Sequence, residues 1–299
     1  VKPLERYVDV VRPEAASRDA APDSLTVVLP SYMREDVLVQ TLRAVVALLA
    51  PRDEGVVVDQ TPRHEPGTEA ALRELEATGR VRWIHKARPS ICEAMNVGAL
   101  VARGHVLVFL DDDVVPSEGL LEAHRRAVAG PGAPPAVCGQ VLQPWNEAPV
   151  SHTASFEVGF DPAYDRPCEI LGLMAGNFSI RRETFLRVGG MDENFTGGSH
   201  RCDTELGYRI HQRTGRRVAF DPAATLRHLH AGGGTRSFGT KDSWGSLGSA
   251  ISDYYFALRC LPAGRAVPYV LRRLLRAPVN RYTASRPWLI RRPPGCTLF

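Results

Sequence analysis

The sequence lacks a long hydrophobic run, a close cysteine pair and a glycine-rich dinucleotide-binding motif. No stretch reaches the roughly 18 apolar residues of a membrane span, and the start has no apolar signal region, so we expect a cytoplasmic protein. The six cysteines show no CxxC pair and no short regular spacing, which favours reduced thiols over a disulfide framework. No GxGxxG motif follows an early strand, which argues against a Rossmann dehydrogenase.

The chain also has little excess charge. Its 299 residues carry 37 Lys and Arg against 33 Asp and Glu, and the arginines are spread along the chain, rising in number after Arg259. This distribution is too diffuse for a nucleic-acid footprint. We therefore expect no nucleic-acid partner and favour an anionic small molecule.

Changes in composition divide the sequence into three parts. We predict an N-terminal arm over residues 1–24, a main α/β domain over residues 25–236 and a basic, mainly helical extension over residues 237–299. The LRRLLR run of the extension is typical of a short amphipathic helix. The longer basic stretch LRRLLRAPVNRYTASRPWLIRR could contact a membrane surface or an anionic acceptor, and a solvated helix face is the alternative.

Short apolar strands alternate with helices from Leu25 to Leu110. The apolar runs do not alternate with polar residues, so helices should cover both faces of the sheet they form. This pattern predicts a doubly wound, mostly parallel, Rossmann-like sheet, followed by a mixed second half. In such sheets ligands bind beyond the carboxyl ends of the strands. The predicted strands are LTVVL, VVVD, VRWI and VLVFL, and the predicted helices lie near residues 36–49, 68–77 and 91–102.

Three consecutive carboxylates, Asp111, Asp112 and Asp113, follow the apolar strand VLVFL. Like charges this close raise one another's pKa unless a cation lies among them. A hard divalent ion such as Mg²⁺ or Mn²⁺, which shares its coordination with phosphate oxygens, fits this arrangement. The alternative is a solvated acidic turn with a helix cap.

Another candidate carboxylate, Asp203, lies at the start of the helical segment CDTELGYRIHQRTG. It could be a general base that takes a proton from an acceptor hydroxyl, and Glu205 is the second candidate for that role. The alternative is a residue that caps the helix or lies in its first turn.

Two histidines, His228 and His230, precede a glycine run in LRHLHAGGGTR. Their alternate spacing predicts that they share one face of a strand. Imidazole is a common ligand for manganese, and we favour His228 as a metal ligand, with a buried structural histidine as the alternative. Arg236 could add a bidentate phosphate contact.

Taken in order, these segments resemble the family 2 glycosyltransferases of the GT-A fold. The resemblance rests on VVLPSYMRED, VVVDQT, VFLDDDVVP, GNFSIRRETFLRVGGMDENF, CDTELGYRI and HLHAGGGTR. It implies an inverting enzyme that uses a nucleoside-diphosphate-sugar, with a UDP-sugar favoured, and Mn²⁺ or Mg²⁺. The acceptor is not specified by the sequence.

The resemblance also implies roles for individual residues. Asp112 would hold ribose hydroxyls, Asp113 would bind the metal with support from Asp111, and Asp59 would accept a hydrogen bond from the base. Gly176 and Asn177 would border the donor sugar and the acceptor. The other implied nucleotide-pocket residues are Pro30, Ser31, Tyr32 and Glu35.

The sequence departs from the family pattern at two positions. Cys202 replaces the glutamate that usually precedes Asp203, and Met95 replaces an arginine that many relatives carry before Asn96, so phosphate contacts could shift to Arg88 or Lys86. A non-catalytic sugar-nucleotide or glycan-binding module is therefore the first alternative function. A sugar nucleotidyltransferase is less favoured, because PSYMRED is not its glycine-rich basic loop. The tryptophans Trp145 and Trp244 could stack on a sugar.

Overall fold

The computed structural model describes residues 21–152, 160–196, 199–234 and 247–276. Most of the predicted N-terminal arm lies outside these ranges, as do Arg236 and Trp244. Among the helices within the ranges, none has the length and apolar character needed to cross a membrane.

The first half is the predicted parallel α/β unit. Its strands pair in the order β3-β2-β1-β4, and all three pairings are parallel. The strands β1, β2 and β4 are almost entirely buried, because helices cover both faces of the sheet. The elements are β1 (Leu25–Ser31), α1 (Asp36–Leu48), β2 (Glu54–Asp59), α2 (Pro66–Ala77), β3 (Val81–His85), α3 (Ile91–Val101) and β4 (Val106–Leu110).

The second half is mixed, as predicted. In the described part of the chain, nine strands form one sheet in the order β3-β2-β1-β4-β8-β6-β9-β5, and β7 pairs with β9. The segment EILGLMAGNFSIRR holds parts of two strands separated by a turn. The further elements are β5 (Val114–Pro116), α4 (Leu120–Ala127), β6 (Ala136–Leu142), β7 (Cys168–Ile170), β8 (Asn177–Arg181), α5 (Arg182–Val188), α6 (Cys202–Thr214), β9 (Val218–His228), α7 (Leu247–Cys260) and α8 (Ala263–Arg276).

Strand pairing brings distant sequence motifs to one edge of the sheet. The parallel neighbours β1 and β4 end side by side, which brings Ser31 close to the acidic triplet. The antiparallel pair β5 and β9 places His228 opposite Val114, the residue after the triplet. The candidate site is therefore built by the topology from segments more than a hundred residues apart.

Aromatic residues fill the core beneath this edge. Phe109 of β4 stacks on Phe178 of β8, with 4.7 Å between ring centroids, and Phe185 of α5 lies 5.1 Å from Phe109. All three side chains are fully buried, each contributing about 2 to 3 kcal/mol of hydrophobic free energy. This packing fixes β4 and β8, which carry the acidic triplet and Gly176 at their ends.

Ion pairs join helix α7 to the main domain. Arg259 of α7 lies 3.1 Å from Glu205 and 3.0 Å from Asp192, and Asp253 accepts a hydrogen bond of 3.3 Å from Arg201. Glu205, Asp192 and Asp253 are buried. The helix is thus attached to the start of α6, next to Asp203.

Candidate active site

The acidic triplet lies at the end of β4, and its middle residue is buried. The Asp112 carboxylate accepts hydrogen bonds from Ser31 Oγ at 2.7 Å and Arg34 Nε at 3.2 Å. Burial raises the pKa of Asp112 to about 7, although the Arg34 charge and the Ser31 hydrogen bond oppose the shift. The charges of Asp113 and Asp111 raise this pKa further.

The last residue of the triplet, Asp113, is held from three sides. Its Oδ2 atom accepts hydrogen bonds from Arg34 Nη2 at 3.1 Å and from the backbone N–H of Ala231 at 2.9 Å. Its Oδ1 atom lies 3.0 Å from Nε2 of His228. One carboxylate therefore connects the acidic motif to the loop that follows β9.

The imidazole of His228 is oriented by a residue that the sequence analysis did not identify. Nδ1 of His228 donates a hydrogen bond to Oε1 of Gln143 at 2.8 Å, because an amide oxygen can only accept. Nε2 is then the nitrogen that faces Asp113, and it lies 3.7 Å from Oδ2 of Asp111. Gln143 follows β6, the parallel neighbour of β9, and no local sequence pattern indicates this role.

These side chains fit a divalent cation. One ligand atom from each of Asp111, Asp113 and His228 lies within 4.8 Å of the others. An imidazole nitrogen and two carboxylates are suitable ligands for manganese, and the contact from Gln143 is the kind that orients a metal-binding histidine. The predicted metal ligands Asp113 and His228 are thus brought together, with Asp111 as a third.

Arg34 is the main residue that the sequence analysis missed. It is buried between Asp112 and Asp113 on one side and the loop of residues 231–234 on the other. Its Nη1 atom donates hydrogen bonds to the carbonyl oxygens of Ala231, at 2.8 Å, and Gly232. The motif VVLPSYMRED contains Arg34, but its contacts depend on a loop almost 200 residues away.

The glycines of that loop are required by its close approach to Arg34. Gly233 and Gly234 have φ angles of +86° and +66°, which residues other than glycine rarely adopt. A Cβ atom on Gly233 would lie 2.5 Å from the Met33 carbonyl oxygen, and one on Gly234 would lie 2.9 Å from Arg34 Nη2. The glycine run therefore lets backbone pack directly against the acidic motif.

A first cleft opens above the acidic triplet. Three of the predicted nucleotide residues, Pro30, Ser31 and Tyr32, line it, while Glu35 and Arg88 do not. Arg88 is exposed, and the alternative phosphate ligand, Lys86, pairs with Glu93 at 2.6 Å. The lining residues are Pro30, Ser31, Tyr32, Arg34, Gln60, Ile91, Asp111, Asp112, Asp113 and Gly234.

Asp59, which is predicted to accept a hydrogen bond from the nucleobase, does not line this cleft. Its side chain is fully buried, and its Oδ1 atom accepts a hydrogen bond from the Thr61 backbone at 2.9 Å. Its Oδ2 atom is bonded to His64 Nε2 at 2.6 Å and to Trp83 Nε1 at 2.9 Å. The nucleobase of a donor could reach the Asp59 carboxylate only if His64, Trp83 and the Thr61 backbone moved away from it.

Glu35 has a related structural role. Its two carboxylate oxygens each lie 3.2 Å from Nδ1 of His64, so the imidazole lies between the carboxylates of Glu35 and Asp59. Burial alone would lower the pKa of His64, but the hydrogen bonds and charges of Asp59 and Glu35 outweigh it and raise the pKa. Glu35, predicted to line the nucleotide pocket, is thus paired with His64 and does not line the first cleft.

A second cleft of about 340 Å³ adjoins the first. It contains two predicted site residues, Asp203 and Gly176, and it shares Asp111 and Ile91 with the first cleft. A Cβ atom on Gly176 would lie 2.3 Å from Oδ2 of Asp111, so the glycine makes room for that carboxylate. The two clefts therefore meet at Asp111.

Asp203 lies in the first turn of α6 and faces the second cleft. Its Oδ2 atom accepts a hydrogen bond from the backbone N–H of Ala175 at 3.3 Å, and its Oδ1 atom accepts one from Thr204 at 2.6 Å. The N-cap position is occupied by Arg201, whose φ angle is +70°. Asp203 is consequently not the N-cap residue, and its carboxylate is half-buried at the cleft surface.

Glu205, the second candidate for a general base, is unsuitable. It is 1% exposed, and its two oxygens accept hydrogen bonds from Nε and Nη2 of Arg209 at 2.8 and 2.6 Å. Arg259 adds a third contact at 3.1 Å. Glu205 therefore joins α6 to α7 and does not line either cleft.

Asn177, which is predicted to border the donor sugar and the acceptor, lines neither cleft. It is fully buried. Its Nδ2 atom donates hydrogen bonds to the carbonyl oxygens of Gln140 and Ala224 at 2.9 and 2.8 Å. Its Oδ1 atom lies 2.8 Å from Nε2 of His124. Burial lowers the pKa of His124 to about 4, so this histidine is neutral at pH 7 and donates to Asn177. The Asn177 amide therefore joins β8 to β6, β9 and α4 through hydrogen bonds from both of its polar atoms.

The two remaining sequence features have clear positions. The strand ends at His228, and His230 has a φ angle of +55°, so the prediction that the histidines share a strand face was wrong. The Cys202 thiol is buried, and a hydrogen bond to Cys92 together with burial holds its pKa well above its usual range. Beside Asp203 there is thus a neutral thiol, at the position where the family resemblance leads us to expect a glutamate.

Sequence comparison finds related proteins. A model of glycosyl transferase family 2 matches residues 26–189. Two validoxylamine A glucosyltransferases, from Streptomyces hygroscopicus subsp. limoneus and subsp. jinggangensis, are 29% and 27% identical over 62% of this chain. The aligned region covers 48% and 51% of those proteins, so the chain spans about half the length of the curated relatives it matches.

Solved structures share the fold at low identity. The mannosyltransferase PcManGT from Pyrobaculum calidifontis, in complex with GDP-Man and Mn²⁺, superposes with a TM-score of 0.57 and 18% identity, covering 99% of this chain and 90% of that one. TarS residues 1–349 from S. aureus give a TM-score of 0.59 at 11% identity, covering 90% and 75%. The predicted GT-A fold is confirmed, and with the family model matching more than half of its length, the chain belongs to glycosyl transferase family 2.

Proposed function

We propose that this protein transfers a sugar from a nucleoside-diphosphate-sugar to an acceptor hydroxyl or a similar nucleophile. The donor occupies the first cleft and the acceptor the second. The observation that carries this proposal is the meeting of the two clefts at Asp111, with the acidic motif on one side and Asp203 on the other. A reacting bond between donor and acceptor has to lie at such a junction.

A divalent ion, Mn²⁺ or Mg²⁺, is the proposed cofactor. Asp111, Asp113 and His228 would hold it, and the Mn²⁺ in the mannosyltransferase complex supports this choice. When bound, the ion would neutralise the charge that develops on the leaving diphosphate. Gln143 keeps Nε2 of His228 directed toward the carboxylates, and Arg34 holds Asp113 in place.

Related proteins support a nucleotide-sugar as the donor, but they do not indicate which nucleobase it carries. Both curated relatives are glucosyltransferases, and the mannosyltransferase neighbour holds GDP-Man. We favour a UDP-sugar on the family resemblance alone. Tyr32 and Ser31 line the first cleft and are the proposed nucleotide contacts, whereas Asp59 and Glu35 are both paired with His64.

Asp203 is the proposed general base. Its carboxylate would take the proton of the acceptor hydroxyl as the oxygen attacks the anomeric carbon, and the sugar is transferred in one displacement with inversion. Hydrogen bonds from two backbone N–H groups, those of Ala175 and Thr204, fix its orientation toward the second cleft. Gly176, on the same wall, leaves room for the Asp111 carboxylate at the junction of the clefts.

The alternative of a non-catalytic binding module drew support from Cys202. The Cys202 thiol is buried against Cys92, while Asp203 remains at the surface of the second cleft. The cysteine at position 202 therefore leaves the proposed catalytic carboxylate accessible. Family membership also argues against a sugar nucleotidyltransferase.

A donor panel tests the proposal. The protein is incubated with UDP-, GDP- and other nucleotide sugars in Mn²⁺, Mg²⁺ or a chelator, and release of the nucleoside diphosphate is followed. We expect metal-dependent release from one donor, lost in Asp113→Asn and kept in Glu183→Gln, which neutralises an exposed carboxylate on α5. Release from no donor, or equal release in chelator, would overturn the proposal.

A further inference from the structure

The C-terminal end of the chain has a charge balance unlike the rest. After Asp253 the sequence contains nine arginines and no Asp, Glu or Lys over 46 residues. The whole chain has 37 Lys and Arg and 33 Asp and Glu, so the part up to Asp253 holds 28 basic residues against 33 acidic ones. All of the excess positive charge is thus concentrated in the C-terminal part of the sequence, after Asp253.

Helix α8 presents apolar and basic side chains at its surface. Val267, Leu271 and Leu274 are 54%, 52% and 40% exposed. Their spacing of four and three residues places them on one face of the helix. Arg265 and Arg272, seven residues apart, are exposed on another strip, and α8 contains no acidic residue.

Helix α7 adds a second exposed apolar strip. Ile251 and Leu258, also seven residues apart, are 54% and 71% exposed. Other residues of α7 face the main domain, where Phe256 and Asp253 are fully buried. Because α7 is already attached by these residues, Ile251 and Leu258 are not needed to hold it in place.

We propose that α7 and α8 form a docking surface for an anionic lipid bilayer. Amphipathic helices with large aliphatic residues on one face and arginines elsewhere lie in the membrane interface, where apolar side chains enter the acyl boundary and arginines meet anionic headgroups. A soluble polyanion would match the arginines but leave the five aliphatic side chains in water. A second copy of the same surface would bring arginines against arginines.

Vesicle binding by the full chain tests this proposal. We compare sedimentation with phosphatidylcholine vesicles and with vesicles that also contain phosphatidylglycerol, at low and high salt. Binding is expected only to the anionic vesicles and should weaken with salt. Arg265→Gln with Arg272→Gln should lower the partition coefficient about 30-fold, given roughly 1 kcal/mol for each arginine at an anionic surface.

Matched variants separate charge from apolar contact. Leu271→Ser with Leu274→Ser keeps every charge and should also lower binding at least about tenfold, since several buried CH₂ groups are lost. Arg43→Gln with Arg73→Gln removes two exposed charges from the main domain, and its binding should stay near that of the parent. Melting temperatures show whether each variant folds. If the Leu271→Ser, Leu274→Ser variant does not fold, Val267→Ser is used in its place.

Three results would overturn the proposal. The first is a parent protein that binds neither kind of vesicle. The second is a folded leucine or valine variant that binds anionic vesicles as the parent does, which would assign the surface to a polyanion such as heparin. The third is a concentration-dependent dimer that is lost in the leucine pair, together with no vesicle binding, which would assign it to a second copy of the chain.

Discussion

Nη2 of Arg34 lies 3.1 Å from Oδ2 of Asp113, so the acidic motif has a cation of the protein's own beside it. The same guanidinium contacts Asp112 and two carbonyl oxygens of residues 231–232. Arg34 therefore compensates buried negative charge and attaches the glycine loop to the site. A bound divalent ion would share the Asp113 carboxylate with it.

Replacing Arg34 should make the protein more dependent on metal. Arg34→Gln leaves two buried carboxylates without their counter-charge, and we expect a loss of about 3 kcal/mol in the free energy of unfolding without metal. Mn²⁺ should restore part of this loss, so the rise in melting temperature on adding Mn²⁺ should exceed that of the parent. Arg43→Gln, an exposed arginine on α1, is the control. An equal or smaller metal-induced rise would contradict this role.

Gly176 should be needed for the position of Asp111. In Gly176→Ala the new methyl group would lie 2.3 Å from Oδ2 of Asp111, and the carboxylate must rotate away. We expect Mn²⁺-dependent nucleotide binding, measured by calorimetry, to weaken about tenfold, since one ligand of the ion is displaced. Gly67→Ala, where a Cβ atom meets nothing within 4 Å, should bind as the parent does. Unchanged affinity in Gly176→Ala would remove Asp111 from the ligand set.

The His64 pairing should make stability depend on pH. Because its folded-state pKa is raised above 6.5, the folded protein holds the proton more tightly than the unfolded chain. This stabilisation is complete below pH 6.5 and is lost as the pH rises through the raised pKa. His64→Gln should therefore cost about 2 kcal/mol at pH 6 and less at pH 9, measured by urea unfolding. The exposed His152→Gln is the control, and a cost independent of pH would show that His64 is not held as a cation.

The fold was largely predictable because its first half repeats one simple pattern. Each apolar run from Leu25 to Leu110 is long enough to indicate a strand, and the helices between the runs imply parallel pairing. The three-residue strands β5 and β7 are too short for any periodicity to reveal. They exist because β9 offers a partner, which is a tertiary effect.

The site was predictable where a motif places a side chain at a strand end, as for Asp113 and His228. It was not predictable for polar side chains that could either line a cleft or take part in a buried hydrogen-bond network. Asn177 and Glu205 are polar residues in family motifs, yet His124 and Arg209 take up their hydrogen bonds. Nothing local in the sequence shows those partners, because each is supplied by the packing of helices on strands.

Asp203→Asn distinguishes a base from a structural residue of the first turn. Asparagine can keep the hydrogen bond from Thr204 through its Oδ1 atom and loses only the longer one from Ala175, because Nδ2 cannot accept, so folding and donor affinity should stay near those of the parent. Glu205→Gln is the contrasting variant. It disrupts a buried ion pair with Arg209 and should lower stability by about 3 kcal/mol while leaving the Asp203 carboxylate in place.

The decisive measurement is the turnover of Asp203→Asn at saturating donor and Mn²⁺, followed as nucleoside diphosphate release. If Asp203 is the general base, the rate should fall by about 10² to 10⁴-fold, with a melting temperature and donor affinity near those of the parent. Turnover within about threefold of the parent, in a variant that folds and binds donor normally, would contradict the account, because the loss of a general base costs far more than that.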